Sequence, residues 1–266
     1  MTASYTRAEL VQAYDTLGMD AGDLVYVAAN LLNLGLPPWT ERREILESHY
    51  GAIREVVGET GTIVVPTYTF SYCNTDKVFD VKTTPSETGP LTEYVRSLPG
   101  AVRQFHPFSS RAAQGPAAEE LCGDCSRHAN GPDTPFARML ARNPKILSIG
   151  LEPRLACSVV HHVEMEMGVP YRYVKEFIQP VVVNNTVEEQ AFYLYVTYRD
   201  CDIEKNGNVR IMEHFARSNE IRSLRVGNGE VHLFNMKRLV ESTRDLMRKD
   251  IYCFLERPPT IRPYSK

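Results

Sequence analysis

The stretch from residue 23 to residue 70 decides the fold, because two apolar runs flank one amphipathic segment. It reads "DLVYVAAN" at 23–30, "WTERREILESHYGAIREVVGETG" at 39–61 and "TIVVPTYTF" at 62–70. Apolar residues of the middle segment recur at helical spacing, and Gly58 supplies a stop signal. A strand, a helix and a second strand in this order predict a βαβ unit with parallel strands.

A third strand is predicted further along the chain. "TPFARMLAR" at 134–142 is typical of a helix that opens behind Thr134 with Pro135 at its first position. The apolar run "KILSIG" at 145–150 follows it. We therefore predict an α/β fold, with a mostly parallel central sheet and helices on both faces.

The pattern changes beyond residue 176. "FIQPVVVNN" at 177–185 and "AFYLYVTYRD" at 191–200 flank a polar, turn-like segment, as the two strands of a β-hairpin would. The predicted organisation is a core at 1–176 and a smaller C-terminal lobe at 177–266, which contains the hairpin and packs on the core. The last helix is expected to take Asn235 as its N-cap.

Length, composition and charge exclude several classes of protein. The chain has 266 residues, of which 43% are hydrophobic, so it can bury a core of enzyme size. Its net charge of −3, without a basic stripe, argues against nucleic acid as a partner. No apolar run approaches the roughly 20 residues that span a membrane, and the N-terminus lacks the apolar core of a signal peptide. We expect a cytoplasmic protein that acts on small molecules; nothing in the sequence indicates an oligomeric state.

The cysteines do not predict a metal site. Six cysteines in a chain of this length are too few for a disulfide scaffold. Cys122 and Cys125, with His128, offer three ligands to zinc, whereas a closed structural site needs four. We expect no metal, and a zinc-dependent protein built on these residues remains one alternative.

The best candidate for chemistry lies in "ACSVVHHVEMEMGVPYRYVKEF" at 156–177. If its first half is helical, His161 and Glu164 share one face, while His162 is turned away by roughly 100°. The segment follows a strand, where open α/β sheets place their ligands. On spacing alone, a structural histidine beside a solvated glutamate also explains the pair.

Signatures of other enzyme classes are missing from the sequence. There is no His-Glu-x-x-His zincin motif and no repeated Glu-x-x-His pair of a carboxylate di-metal bundle. The Gly-x-Ser-x-Gly elbow of α/β-hydrolases and the glycine-rich phosphate loops are missing as well. Hydrolase and nucleotide-dependent oxidoreductase activities are therefore not predicted.

Several stretches in order resemble the aminoglycoside 3-N-acetyltransferase family, the antibiotic N-acetyltransferase type that differs from the GNAT fold. They are "TGPLTEYVRSLPGAVRQFHPFSSRAAQG" at 88–115, "GPDTPFARML" at 131–140, "KILSIG" at 145–150 and "VVHHVE" at 159–164. The likeness runs from about residue 22 to 176 and returns in "RVGNGEVHLFNMKRLVESTRDL" at 225–246. It implies an acetyl-CoA-dependent N-acetyltransferase whose first part, 1–176, binds acetyl-CoA and carries the catalytic residues.

The resemblance also implies which residues bind acetyl-CoA. In the His-Pro-x-x-Ser loop, His106, Pro107 and Ser110 match the family residues that help to form the acetyl-CoA groove, and the loop is expected to hold the pantetheine arm. Thr134 and Phe136 match the segment that lines the same region.

At the first strand the chain departs from the family. Where the family commonly has His-Ser-Ser, this chain has Ala28, Ala29 and Asn30, so Asn30 is the polar side chain left to contact the cofactor. Arg42 or Arg43 could supply the phosphate contacts. This departure also keeps open a non-catalytic CoA-binding relative.

Catalysis and acceptor are predicted from the same resemblance. His161 is the expected general base for direct attack of a primary amine on acetyl-CoA in a ternary complex, with Glu164 orienting its ring. The lobe at 177–266 would lie on the acceptor side, and Glu213 would hold the amine or support the histidine. Arg172 and Lys175 are predicted to pair with the diphosphate of a nucleotide-linked amino sugar. An aminoglycoside acceptor is the alternative.

Overall fold

A computed structural model describes residues 4–35, 37 and 41–262 of the chain. The described helices are α1 Arg7–Leu17, α2 Arg42–Val57, α3 Pro90–Arg96, α4 Ala118–Cys122, α5 Pro135–Leu140, α6 Pro153–Ala156, α7 Val160–Glu166, α8 Val209–Ala216 and α9 Met236–Lys249. The strands are β1 Leu24–Ala29, β2 Thr62–Pro66, β3 Val102–Arg103, β4 Arg111–Gln114, β5 Lys145–Ile149, β6 Arg172–Val183, β7 Thr186–Thr197, β8 Arg222–Val226 and β9 Gly229–Asn235.

The predicted βαβ unit forms the centre of the molecule. The strands of the main sheet follow the order β3-β4-β2-β1-β5-β9-β8. β1 pairs in parallel with both β2 and β5, whereas the flanking strands are antiparallel to their neighbours. The predicted α/β class is confirmed, and the parallel pairing belongs to the three central strands.

Helices cover both faces of this sheet because the side chains of each strand alternate between the faces. On β1, Val25 and Val27 pack into a cluster with α1, α2 and α3. Leu24 and Tyr26 point to the opposite face, where α4, α5, α7, α8 and α9 form a second cluster. Each face is thus closed by its own set of helices, as two buried faces require.

The predicted boundary at residue 176 does not separate two lobes. β8 and β9, which both follow it, complete the main sheet, and β9 pairs with β5 along its whole length. Without β9, the buried strand β5 would present an unpaired edge. The segment 177–266 is therefore divided between the core and a hairpin, instead of forming one C-terminal lobe.

The hairpin of β6 and β7 is a separate two-stranded sheet. It is longer than predicted, since it begins at Arg172 and turns at Asn184 and Asn185, both of which have positive φ. A two-residue turn of this kind matches the twist of the strands. The acidic residues that follow, taken for part of the turn, lie on the exposed start of β7.

Two predicted helix starts are present. Asn235 caps α9 by accepting a hydrogen bond from the Arg238 amide at 3.1 Å. α5 opens at Pro135, directly behind Thr134. None of the helices in the described ranges combines the length and the apolar character needed to cross a membrane.

Candidate active site

A cavity of about 400 Å³ opens between the main sheet and the hairpin. Its walls come from the segment after β2, from the start of β4, from α7 and from β7. The lining residues are Tyr68, Phe70, Ser109, Arg111, Ala129, Asn130, Ser158, His161, Arg172, Leu194, Tyr195, Val196, Thr197 and Lys205. The carboxyl ends of β2 and β5 therefore lead into this cavity, where α/β sheets commonly bind ligands.

The histidine and the glutamate of α7 form a direct pair. His161 Nδ1 lies 2.6 Å from Glu164 Oε2. The His161 side chain is 40% exposed and lines the cavity, whereas that of Glu164 is only 1% exposed. The i, i+3 spacing thus brings a buried carboxylate behind a histidine whose ring faces open space.

Two more side chains bind the buried carboxylate. Glu164 Oε1 accepts hydrogen bonds from the Tyr171 hydroxyl at 2.8 Å and from Arg172 Nε at 2.9 Å. Arg172 also donates through Nη1 to the Tyr195 carbonyl at 3.0 Å, which fixes it against the hairpin. Four groups from α7, β6 and the turn between them therefore form one hydrogen-bonded cluster.

The protonation of this cluster follows from its contacts. Burial alone would raise the pKa of Glu164, but the hydrogen bond and charge of His161, together with Arg172 and Tyr171, bring that pKa below its ordinary value. An ionised carboxylate only accepts hydrogen bonds, so His161 Nδ1 must carry the proton that it shares with Glu164. In the neutral form of the ring, Nε2 is then the nitrogen without a proton.

His162 takes no part in this cluster. Its side chain is 3% exposed, its Nδ1 accepts a hydrogen bond from the Gly131 amide at 3.2 Å, and its Nε2 lies 3.3 Å from Glu166. Burial lowers its pKa. The helix separates the two adjacent histidines into one that faces the cavity and one that faces the core.

The side chains of the His-Pro-x-x-Ser loop are buried, and the expectation that the loop holds a cofactor stays a prediction. His106 is fully buried, and its Nδ1 accepts hydrogen bonds from the amides of Phe108 and Ser109, each at 3.2 Å. The Pro107 carbonyl accepts a hydrogen bond from the Thr69 hydroxyl. The turn thus pairs most of its polar groups within the protein, although His106 Nε2 is buried without a hydrogen-bond partner.

Ser110 is likewise enclosed. Its hydroxyl donates to the Thr67 carbonyl at 2.7 Å and accepts from Arg103 Nε at 3.0 Å, and the side chain is fully buried. The neighbours of Ser110 face the cavity instead, since Ser109 and Arg111 are among its lining residues. Alternation along the start of β4 explains why Ser109 and Arg111 share a side that Ser110 does not.

Thr134 and Phe136 lie beneath the cavity wall. The Thr134 hydroxyl donates to the Gly131 carbonyl at 2.7 Å, and both residues are fully buried. The Phe136 ring lies 4.0 Å from the guanidinium carbon of Arg111. These two residues thus support the wall, and neither contacts the open space of the cavity.

Asn30 belongs to a different groove, of about 500 Å³. The groove lies where β1 ends and α2 and α3 begin, and its lining residues are Ala29, Asn30, Leu31, Leu32, Arg42, Ile45, Leu46, Glu87, Thr88, Gly89, Pro90 and Leu91. Glu87 connects it to the cavity wall, because the Glu87 amide donates to the Tyr68 carbonyl at 2.9 Å. Arg43 does not line the groove; it pairs with Glu47 at 2.6 Å.

The three residues assigned to the acceptor do not come together. Arg172 lies in the cavity but is bound to Glu164. Lys175 is three residues further along the same strand, so it points to the opposite face, and its Nζ lies 4.6 Å from the centre of the Phe177 ring. Glu213 is exposed on α8 and does not line the cavity. Arg172 and Lys175 therefore lie on opposite faces of β6 and do not form the clamp expected there.

The cysteine cluster shows no metal geometry. Across the described part of the chain, no group of three or more histidine, cysteine or acidic side chains is arranged to hold a metal ion. Cys125 Sγ donates to the carbonyls of Leu121 and Gly123. Burial raises the pKa of the Cys122 thiol well above its ordinary value, and that of Cys125 to about 11. Both thiols are therefore protonated at neutral pH.

Sequence reasoning left several cavity residues unassigned. The Tyr68 hydroxyl donates to Ser158 Oγ at 3.1 Å, and Tyr26 lies 2.9 Å from the same oxygen, so three hydroxyls meet beside α7. Arg111 and Lys205 were also not assigned. For Arg111 a signal was available, since it is the lone charged residue in "SSRAAQG"; Lys205 follows the hairpin in an irregular segment that carries no such signal.

Comparisons with known proteins agree on one family. The family model described as aminoglycoside 3-N-acetyltransferase matches residues 40–248. Aminoglycoside N(3)-acetyltransferase IX of Micromonospora chalcea is 29% identical over 219 residues, which cover 75% of this chain and 74% of the relative. Aminoglycoside N(3)-acetyltransferase VII of Streptomyces paromomycinus is 31% identical over 198 residues, 67% of each chain. The solved structure of AAC-IIIb in binary complex with CoASH superposes with a TM-score of 0.80 at 20% identity, covering 92% of this chain and 96% of that one.

Proposed function

The chain belongs to the aminoglycoside 3-N-acetyltransferase family, whose members are acetyl-CoA-dependent transferases. We propose that it acetylates the primary amine of an amino sugar, with His161 as the general base. One observation carries the proposal. A buried, ionised Glu164 holds the His161 ring at 2.6 Å, with the second ring nitrogen left for the cavity. This arrangement suits a general base better than a structural histidine, whose ring would be enclosed.

The amine must lose a proton during the reaction. A neutral amine nitrogen attacks the thioester carbonyl carbon with its lone pair, the carbon–sulfur bond breaks, and CoA leaves with the electron pair on sulfur. His161 Nε2 accepts the proton that the new amide nitrogen gives up, and Glu164 stabilises the resulting imidazolium. The proton on His161 can then pass to the departing sulfur, which balances the reaction.

Tyr171 and Arg172 act on the base through Glu164. Their hydrogen bonds to Oε1 leave Oε2 directed at His161 and keep the carboxylate ionised. Arg172 is itself fixed by the Tyr195 carbonyl of the hairpin, so β7 helps to set the orientation of the ring. These are positioning residues, because neither is proposed to contact the reacting atoms.

Acetyl-CoA supplies the activated acetyl group, and we propose that its arm lies in the groove that contains Asn30. The groove fits such a molecule because its walls are largely apolar, while Arg42 and the first amides of α2 lie at one end. A helix N-terminus and an arginine are common partners of phosphate. Asn30 stays a proposed cofactor contact, whereas His106, Pro107, Ser110, Thr134 and Phe136 support the wall from within.

We also propose that the reaction takes place in the cytoplasm, where acetyl-CoA is available. The nucleotide-linked acceptor loses its structural argument, because Arg172 and Lys175 do not face each other. An amino sugar with a primary amine remains the proposed acceptor class.

The test is the variant His161→Ala, measured by release of the CoA thiol with acetyl-CoA and a panel of amines. Removal of a general base should lower turnover about 10²- to 10⁴-fold. CoA binding, followed by calorimetry, should change little, because the groove that contains Asn30 does not include His161. His214→Ala is the matched control, since His214 lies on α8 and does not line the cavity.

Two results would count against the proposal. Near-wild-type turnover of His161→Ala would remove the histidine from catalysis. A wild-type protein that binds CoA but releases no thiol with any amine would instead support a non-catalytic relative.

A further inference from the structure

Among the described residues, no carboxylate pairs with the buried cation of Arg111. Its side chain is only 2% exposed, and Nη1 donates to the carbonyls of Ser109 at 2.9 Å and Ala129 at 3.0 Å. Its Nε is buried without a hydrogen-bond partner. The rings of Tyr68 and Phe136 lie 5.5 and 4.0 Å from the guanidinium carbon, which attracts the cation but leaves its charge uncompensated. A buried charge in this state is costly unless an anion pairs with it.

A second unpaired cation lines the same cavity. Lys205 lies after the hairpin, and no ion pair to a carboxylate is found for it among the described residues. Burial lowers its pKa, and the charge of Arg172 lowers it further. The ammonium group is therefore in surroundings that already hold positive charge.

The lining as a whole is positive. The described lining residues include Arg111, Arg172 and Lys205, and none of them is an aspartate or a glutamate. Glu164 lies behind the wall and pairs with Arg172 at 2.9 Å. Its charge also raises the pKa of Lys205, against the lowering by burial and by Arg172. A polycationic aminoglycoside would meet like charges here, which disfavours its binding.

We propose that the acceptor carries an anionic group, a carboxylate or a phosphate, in addition to its amine, and that Arg111 and Lys205 bind this group. The proposal rests on the proposed function and names the substrate class of that site. The planar guanidinium of Arg111 suits either oxyanion, and Ser109 and Asn130 add polar groups on the same wall.

The experiment compares matched acceptors. We would measure kcat/KM for glucosamine, glucosamine 6-phosphate, 2-amino-2-deoxyglucuronate and kanamycin with the wild-type protein. One charge-assisted contact corresponds to roughly a 10- to 150-fold effect, so at least one of the two anionic sugars should exceed glucosamine by that factor. The phosphate and carboxylate arms show which oxyanion the site prefers.

Variants test whether Arg111 and Lys205 cause the preference for anionic acceptors. Arg111→Met keeps an apolar chain between Tyr68 and Phe136 but removes the charge, and Arg111→Lys restores it in part. Arg111→Met and Lys205→Met should each reduce the ratio of kcat/KM for the anionic sugar over glucosamine about 10-fold or more. Lys249→Met, on the exposed end of α9, should leave this ratio unchanged. If Arg111→Met does not fold, Lys205→Met still decides the question.

The outcomes separate this proposal from the function on which it rests. An equal loss on every amine in Arg111→Met would mean that Arg111 acts on the thioester, and would overturn the acceptor assignment. A wild-type preference for kanamycin would overturn it too, while the His161 chemistry could stand. If no amine reacts, the proposed function fails, and calorimetry with inorganic phosphate then tests the anion site alone. Phosphate binding that is lost in Arg111→Met and Lys205→Met supports the anion site. Phosphate binding that is absent, or unchanged in these variants, overturns it.

Discussion

Two polar clusters flank the cavity, and they differ in how their charges are balanced. On α7, the carboxylate of Glu164 is matched by His161, Tyr171 and Arg172. In the loop before β4, most polar groups are matched by backbone atoms, and no acid among the described residues pairs with the cation of Arg111. The charge of the first cluster is balanced within the protein, whereas the cation of the second contacts carbonyls and aromatic rings.

The histidines of the two clusters illustrate what this difference means. His161 is 40% exposed, is bound to a carboxylate and faces the cavity. His106 is fully buried and accepts two backbone amides, and burial lowers its pKa to about 3. One histidine has the surroundings of a base and the other those of a structural acceptor, although both occur in stretches that resemble family motifs.

The largest expected effect on stability follows Glu164→Gln. The change leaves the cation of Arg172 buried without its anion, and breaking such a pair from one side costs about 3 to 5 kcal/mol. Because contacts lower the pKa of Glu164 below its ordinary value of 4.5, its contribution to stability is present above that pH and is lost as the pH falls below it. Urea unfolding at several pH values should show a large loss at pH 7 and a weaker acid dependence in the variant.

Glu166→Gln provides the control for that measurement. Glu166 pairs with Arg244 at 2.7 Å but is one third exposed, so its loss should matter much less. Equal losses in the two variants would show that the buried cluster contributes no more than a surface pair.

A smaller effect is expected for His106→Leu, which tests whether the loop is scaffold. Leucine cannot accept the amides of Phe108 and Ser109, and each unsatisfied donor costs about 1 to 3 kcal/mol. Folded His106 stays neutral while the unfolded chain takes up a proton below about pH 6.5. The wild-type protein should therefore lose stability as the pH falls from 6.5 towards 3, by up to about 1.4 kcal/mol per pH unit from this residue. The variant should lack that part of the slope.

His106→Asn sharpens this test, because its short amide can accept a backbone N–H and should restore part of the stability at pH 7. If His106→Leu left stability unchanged but impaired CoA binding, the loop would be part of the cofactor site.

The smallest effect is expected for Lys175→Met and Glu213→Gln. Neither side chain lines the cavity, so kcat/KM for every acceptor should change less than about twofold, as is usual for surface substitutions. Steady-state kinetics with the acceptor panel measures this. A clear loss of kcat/KM with phosphorylated acceptors in Lys175→Met would support the diphosphate clamp. A raised Michaelis constant for the acceptor in Glu213→Gln would show that this carboxylate binds the acceptor.

The sequence predicted the centre of the molecule because local patterns determine it. The βαβ unit follows from apolar runs and one helical period, and the pairing of His161 with Glu164 follows from helical spacing. The joining of β9 to β5 could not be predicted, because it connects distant segments and leaves no local signal. The separation of Arg172 from Lys175 could not be predicted without knowing that they lie on a strand, where residues three apart point to opposite faces.

The sequence also could not predict which residues of the loop at 106–111 are buried. A polar stretch predicts contact with water or a ligand, yet Ser110 satisfies its hydroxyl on Thr67 and Arg103 inside the protein. Which of three adjacent polar residues faces the cavity depends on the register of β4 against β2, and the register is a property of the folded sheet.

The pairing of β5 with β9 has a consequence for how the chain reaches its native state. β5 leads into α7, yet its outer edge stays open until the strand 229–235 arrives. Contacts between segments so far apart in sequence slow folding, since a long loop must close before they form. During synthesis α7 with His161 therefore emerges well before β9 can dock, and for that interval β5 is an exposed apolar edge of the kind that favours aggregation.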